Sequence, residues 1–250
     1  MADQNTITRF FSGTLSRRAM LTCVIPLIIA ILLVGLFISG LMYQEPYDWR
    51  YIVISRFLSP EDNPGWSSFA AIGMAIAGFV MITFLGYYQK HLGKICRGST
   101  GVGTFFMLFG IVGLIGVGTI GQFDLGIEKL HEYLAAAGFL GVVLAAIFYG
   151  CPILKDHAKG AKQFNMRMFW AGMIPLLVGV AGLAISALYN ELNDLSYASN
   201  PSIEDFEAYH FPAWISFAFW EWILFAGVAI YIVSLAFLVP ETVIPFEKRK

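Results

Sequence analysis

Charged residues are scarce in this sequence. Asp, Glu, Lys and Arg together make up 13% of its 250 residues, whereas soluble domains carry about 25%. Apolar residues make up 58%, and the mean hydropathy is +0.69. This composition excludes an ordinary soluble domain and is typical of a protein that lies within a membrane.

Cysteine is also rare. The three cysteines are Cys23, Cys96 and Cys151, and all three fall near the predicted cytosolic face, where a reducing environment keeps thiols free. This placement excludes a disulfide framework on the opposite side of the membrane.

Long polar segments are absent as well, because six apolar stretches fill most of the chain. A bilayer core about 30 Å thick needs roughly 20 apolar residues per helix, and each stretch is long enough. The sequence therefore predicts an all-α, six-helix transmembrane bundle that forms a single domain. The predicted spans are Ala19–Tyr43, Ser67–Tyr88, Gly101–Gly121, Tyr133–Leu154, Met168–Tyr189 and Ala213–Val239.

Positive charge is distributed unevenly between the links that join these spans. Of the 16 Lys and Arg residues, all but Arg50, Arg56 and Lys129 fall on one side. Since Lys and Arg are enriched in cytosolic loops, both termini are predicted to be cytosolic. The plasma (cytoplasmic) membrane is the favoured location, and an endomembrane is the alternative.

Two links on the predicted outer side are long and acidic. The first, Gln44–Trp66, contains an apolar run at 51–54 and could form a strand, a re-entrant segment or an interfacial helix. The second, Asn190–Pro212, contains a turn followed by a helix start that Ser202 could cap. We expect the two links to form an acidic cap over the bundle. Glycine-rich faces in the third and fifth spans predict close helix packing beneath it.

Glu221 is the outstanding polar side chain, because it lies about 13 Å into the last span at 1.5 Å per residue. A carboxylate at that depth costs several kcal/mol unless it is paired, protonated or hydrated. Trp220 and Trp222 flank it. Glu221 could accept a proton, bind a metal or a lipid headgroup, or bond to another helix.

A second polar group precedes the fourth span. Asp124, Glu128 and His131 would share one face of a helix, and together with Glu221 and His210 they suit zinc binding or acid–base hydrolysis. No paired-histidine motif accompanies them, so we predict no metal site. All four histidines lie at span ends or in loops, which disfavours haem, and no cofactor is predicted. Phosphate-binding, nucleophile-elbow and nucleic-acid motifs are absent.

At these residues the chain resembles the FRAG/DRAM/SFK-type family of six-span proteins, which includes the GPI-anchor lipid-remodelling factor and the damage-regulated autophagy modulators. A prokaryotic six-span family of unknown function has a similar outline. The shared elements are Ile54-Ser55, Pro60-Glu61, Trp66-Ser67-Ser68-Phe69, Phe123, His131 and Glu221-Trp222. Arg56-Phe57 replaces the family's Asp-containing turn. The resemblance implies work on, or sensing of, membrane lipids, with Ser55, Phe123, His131, Glu221 and Trp222 at a shared outer-face site.

The leading hypothesis is therefore binding, remodelling or regulation of a lipid or lipid anchor from the outer leaflet. Glu221 and His131 would line the pocket, and Trp220 and Trp222 would set the headgroup depth. Membrane lipids are the expected partners. Two alternatives remain: a non-catalytic accessory subunit of a membrane complex, and a hydrolase or acyltransferase with a metal at Asp124, His131 and Glu221. The sequence leaves open whether the protein is an enzyme.

Overall fold

A computed structural model describes residues 14–43, 47–60, 62–120, 123, 130–192 and 212–245. The described chain is helical and contains no strand. Six of its helices are long and apolar enough to cross a membrane, which confirms the predicted all-α class and the number of spans. The orientation of the termini stays a prediction.

The helices are numbered here in chain order. The short helix α2 covers Ser55–Leu58, and a 3₁₀ turn at Ala213–Ile215 precedes the last helix. The six long helices are α1 Arg17–Leu41, α3 Ser67–Leu92, α4 Arg97–Gly118, α5 Leu130–Ala158, α6 Met166–Leu192 and α7 Phe217–Leu238.

Several helices extend beyond the predicted spans. The helix α3 continues through Lys90 and His91, and α5 through Lys155 and His157. A span predicted from hydropathy ends at the first charged residue. The backbone stays helical beyond that residue, because main-chain N–H and C=O groups near the membrane still need hydrogen-bond partners. The last helix is shorter than predicted, because Ser216 has an extended conformation and α7 begins at Phe217.

Glycine contacts confirm the predicted close packing. A Cβ atom on Gly113 would lie 2.5 Å from the main-chain nitrogen of Gly138, and Gly110 meets Gly141 in the same way. These contacts join α4 to α5. The pair α6–α7 is equally close, since a Cβ on Gly179 would lie 2.6 Å from the Cα of Leu224. Such approaches are possible only without side chains.

The bundle has two unequal parts. In one part α1 packs on α3, α3 on α4 and α4 on α5, whereas in the other α6 and α7 form a tight hairpin. Contacts between the hairpin and the other helices are sparse, so space is left between the two parts. We call the end of the bundle near residues 47–66 the loop end, and the end with Lys90 and Lys155 the basic end.

Candidate functional site

The first long link folds into the loop end of the bundle. Ile52, Val53, Ile54, Phe57 and Leu58 are all buried, with exposed fractions between 1% and 8%. Of the three forms that the sequence left open, the described residues show no strand but the short helix α2 within a buried segment. The apolar run at 51–54 drives this burial, because such side chains gain free energy on leaving water. We call the described residues of this link, 47–60 and 62–66, the folded loop.

Two adjacent residues of α7 hold the folded loop by its main chain. A carboxylate oxygen of Glu221 accepts a hydrogen bond of 2.8 Å from the N–H of Ile54. The indole Nε1 of Trp222 donates to the carbonyl of Ile52 at 3.2 Å. Glu221 is 7% exposed, so this bond stabilises a carboxylate that the interior would otherwise disfavour.

A second set of bonds fixes the other end of the folded loop. The hydroxyl of Ser39 on α1 donates to the carbonyl of Trp66 at 2.7 Å and accepts from the N–H of Ala70 at 3.0 Å. The buried amide of Asn63 donates to the carbonyl of Ser39 at 3.0 Å. The loop is thus attached to α1, α3 and α7, so its position depends on how these three helices pack.

Aromatic rings fill the space between the folded loop and α7. Tyr47 lies 4.5 Å from Phe57 between ring centroids, and Phe57 lies 6.1 Å from Trp222. Burial raises the pKa of the Tyr47 phenol, and the charge of Glu221 acts in the same direction, although a bond to Trp222 opposes it. Tyr47 therefore stays neutral at physiological pH and serves as a hydrogen-bond donor, here to the carbonyl of Ile52 at 3.5 Å.

An apolar cavity lies directly beneath this cluster, between the two parts of the bundle. It is lined by Met74 and Met81 on α3 and by Phe225 and Ile232 on α7. The remaining lining residues are Ile28, Ile29, Leu32, Ala77, Leu114, Gly138, Phe139, Val142, Val228 and Ala229. All of these side chains are apolar. Four of the lining residues, Leu32, Met74, Leu114 and Phe225, also belong to the hydrophobic cluster that contains Ile54, Phe57 and Leu58 of the folded loop.

Burial is uneven around the cavity wall. On α3, Ala77 and Met81 are only 1% exposed. The lining residues Leu32 on α1, Phe139 on α5 and Val228 on α7 are only partly buried. The α3 residues of the wall are thus all buried, whereas α1, α5 and α7 each contribute a partly buried residue.

The structure brings together some of the residues predicted to form the site. Glu221 and Trp222 contact the main chain beside Ser55, which begins α2 and is half-buried. Trp220 instead faces α6, where its ring covers Gly182 and its Nε1 donates to the carbonyl of Trp214 at 2.7 Å. Trp220 and Trp222 therefore face different neighbours, because successive helical residues point about 100° apart. Their predicted role in setting the headgroup depth stays a prediction.

The remaining predicted residues lie elsewhere. Phe123 is 67% exposed. His131 lies in the first turn of α5 and is partly buried, and Leu134 one turn later packs beside the folded loop's core. Asp124, Glu128 and His210 lie outside the described residues, as does the link with Ser202. Within the described ranges, no group of three His, Cys, Asp or Glu residues could hold a metal ion.

Sequence reasoning missed Asn63, Ser39 and the main chain of residues 52–54. Asn63 looked like an ordinary solvated loop residue, yet it is completely buried. The apolar run at 51–54 within an acidic link was the available signal of burial. The chain matches no known family model, no curated protein and no solved structure.

Proposed function

We propose that this chain is a multipass membrane protein that binds a lipid or lipid anchor from the outer leaflet and thereby remodels or regulates it. The observation that supports this most directly is the apolar cavity beneath the folded loop. The resemblance to six-span lipid-remodelling and autophagy proteins leads to the same expectation.

The lining of the cavity favours an acyl chain over any polar ligand. Wholly apolar cavities exclude water, because water needs polar partners. An empty cavity in a membrane bundle loses the van der Waals contacts that hold helices together in lipid. Acyl chains surround the protein on every side, and one that entered along a seam of the α6–α7 hairpin would restore those contacts.

With an acyl chain in the cavity, the headgroup of the same lipid would lie beside the folded loop. If the distribution of Lys and Arg sets the orientation, the loop end faces the outer leaflet. Ser55 and Trp222 are partly exposed residues in the region of the folded loop. In this proposal Glu221 is a positioning residue, because its carboxylate holds the main chain of Ile54.

The proposal is tested by native mass spectrometry of the protein released from nanodiscs. Ala229 lines the cavity, whereas Ala226 lies one turn away on the exposed face of α7. We expect the unmodified protein and Ala226→Phe to retain a lipid of defined mass, and Ala229→Phe to lose it. Equal retention of the lipid by Ala226→Phe and Ala229→Phe would contradict the cavity model.

The same spectra test the accessory-subunit alternative, which predicts stoichiometric protein partners and no bound lipid. That alternative makes the glycine faces and the interfacial aromatic residues the contact surfaces. Gly110, Gly113, Gly138 and Gly141 are already used inside the bundle, so no specific observation favours that alternative.

A further inference from the structure

The basic end of the bundle holds the segment that follows the last helix. The helix α7 ends at Leu238, and Val239 has an extended conformation. Val239 and Val243 are 0% and 2% exposed, so the chain beyond the helix packs against the bundle there. We call residues 239–245 the tail segment.

Gln163, in the link between α5 and α6, binds the main chain of the tail segment. Its amide oxygen accepts a hydrogen bond from the N–H of Ile244 at 2.8 Å, and its Nε2 donates to the carbonyl of Ile244 at 3.3 Å. The carboxylate of Asp156, which is 1% exposed, accepts from Nε2 and from the N–H of Gln163, each at 2.8 Å. Asp156 thus orients the amide that holds the tail segment.

His91 of α3 makes the second attachment and is 5% exposed. Its Nδ1 lies 2.7 Å from the carbonyl oxygen of Tyr87, and its Nε2 lies 3.1 Å from the carbonyl oxygen of Glu241 in the tail segment. A main-chain carbonyl can only accept a hydrogen bond. The two bonds together therefore require an N–H on each ring nitrogen, which is the imidazolium form.

A neutral imidazole cannot keep both bonds. It carries one N–H, so in either tautomer the lone pair of the other nitrogen faces a carbonyl oxygen. The contact with Tyr87 is the shorter of the two and lies within a single helix. The neutral ring therefore keeps that contact and gives up the bond to Glu241.

The other titratable or charged side chains at this attachment come from four elements. The ring of Tyr87 stacks on the imidazole with centroids 4.3 Å apart. Histidine is the residue type that changes its charge near physiological pH. Glu241 takes part through its carbonyl, so its exposed carboxylate can be replaced without removing the bond. The set consists of Tyr87 and Lys90 on α3, Arg17 on α1, Asp156 on α5 and Glu241 in the tail segment.

We propose that the tail segment is a pH-dependent latch, which the imidazolium of His91 holds against α3 and the neutral imidazole releases. The segment continues α7, so the latch joins the α6–α7 hairpin to the other part of the bundle, with which its contacts are sparse. Because the closed form requires the additional proton, the latch is closed below the pH at which His91 titrates and opens as the pH rises through it. The latch does not depend on a lipid in the cavity.

Hydrogen exchange of the full chain in phosphatidylcholine nanodiscs tests the latch. The amides of residues 241–244 report on the tail segment, and the flanking Pro240 and Pro245 have no N–H. Each rate is divided by the intrinsic rate at the same pH, which removes the chemical dependence of exchange on pH. We expect the protection of these amides to fall about tenfold between about pH 6 and about pH 8, because a hydrogen bond from a charged group is lost. Residues 52–58 at the loop end should keep their protection.

Three variants identify the titrating group. His91→Gln has no side chain that titrates in this range, so the protection of residues 241–244 should be the same at both pH values. His157→Gln removes an exposed histidine of the same end and should keep the tenfold change. Glu241→Gln removes the carboxylate but keeps the carbonyl that His91 binds, so it should keep the change as well.

Equal protection at both pH values in the unmodified protein would overturn the proposal. So would a tenfold change that persists in His91→Gln, since another group would then titrate. A parallel fall at residues 52–58 would also overturn it, because that would show a general loss of stability. If His91→Gln does not assemble, His157→Gln and Glu241→Gln decide: the change must survive in both, and its loss in either contradicts the latch.

Discussion

Glu221 and Ile54 are 167 residues apart in the chain, and a hydrogen bond of 2.8 Å joins the carboxylate of one to the main-chain N–H of the other. The bond connects α7 to the folded loop. It gives Glu221, the one carboxylate of α7, a structural partner, and it attaches the folded loop to that helix.

The first prediction concerns this bond. Glu221→Leu leaves the buried N–H of Ile54 without an acceptor, which costs about 1–3 kcal/mol. We expect faster amide hydrogen exchange across residues 52–58 in this variant. Glu221→Gln retains a carbonyl oxygen at the same position. The amides of residues 52–58 should therefore exchange much more slowly in Glu221→Gln than in Glu221→Leu. Identical protection in Glu221→Leu and the unmodified protein would show that the bond does not hold the loop.

The second prediction separates the two tryptophans. Trp222→Phe removes the donor to Ile52 but keeps an aromatic ring, whereas Trp220→Phe removes the donor to Trp214. Hydrogen exchange across residues 52–58 should increase only in Trp222→Phe. The same increase in both variants would mean that the loop responds to the stability of α7 as a whole.

The third prediction concerns Ser39, which is completely buried and bonds to both Trp66 and Ala70. Ser39→Ala leaves the N–H of Ala70 with one partner fewer and should lower the free energy of unfolding by about 1–3 kcal/mol. Ser68→Ala, at an exposed position nearby, is the control and should have little effect. Denaturant titration in detergent compares the two.

The fourth prediction concerns the glycine contact between α4 and α5. A Cβ on Gly113 would lie 2.5 Å from the main chain of Gly138, so Gly113→Ala should force the helices apart and lower the melting temperature or prevent assembly. A Cβ on Gly101, by contrast, would meet nothing within 4 Å. Gly101→Ala should therefore be neutral or slightly stabilising, by up to about 1 kcal/mol. A thermal shift assay distinguishes these outcomes.

The helices could be predicted from sequence because a bilayer imposes one simple requirement on each of them. An apolar stretch of sufficient length must be helical there, and glycines such as Gly113 mark where two helices approach closely. Only the ends were misjudged, since residues such as Lys90 and His91 are charged or polar and yet helical.

The candidate site was predictable only in part. Glu221 stood out because a carboxylate within a membrane span needs a partner, but the partner is a main-chain N–H. Every residue except proline has such a group, so no sequence pattern identifies Ile54. The cavity could not be predicted from the sequence either. Met74 and Phe225 are ordinary apolar residues, and only the packing of the helices shows that they line a cavity.

The most direct test of the central claim is photolabelling with a phospholipid that carries a diazirine on its acyl chain, followed by mapping of the labelled residues. Met74 and Met81 face the cavity and are 6% and 1% exposed, whereas Phe79 on the same helix is 59% exposed. If an acyl chain occupies the cavity, label should appear on Met74 and Met81 as well as on the outer surface. Label at Phe79 and other exposed positions alone would contradict the account.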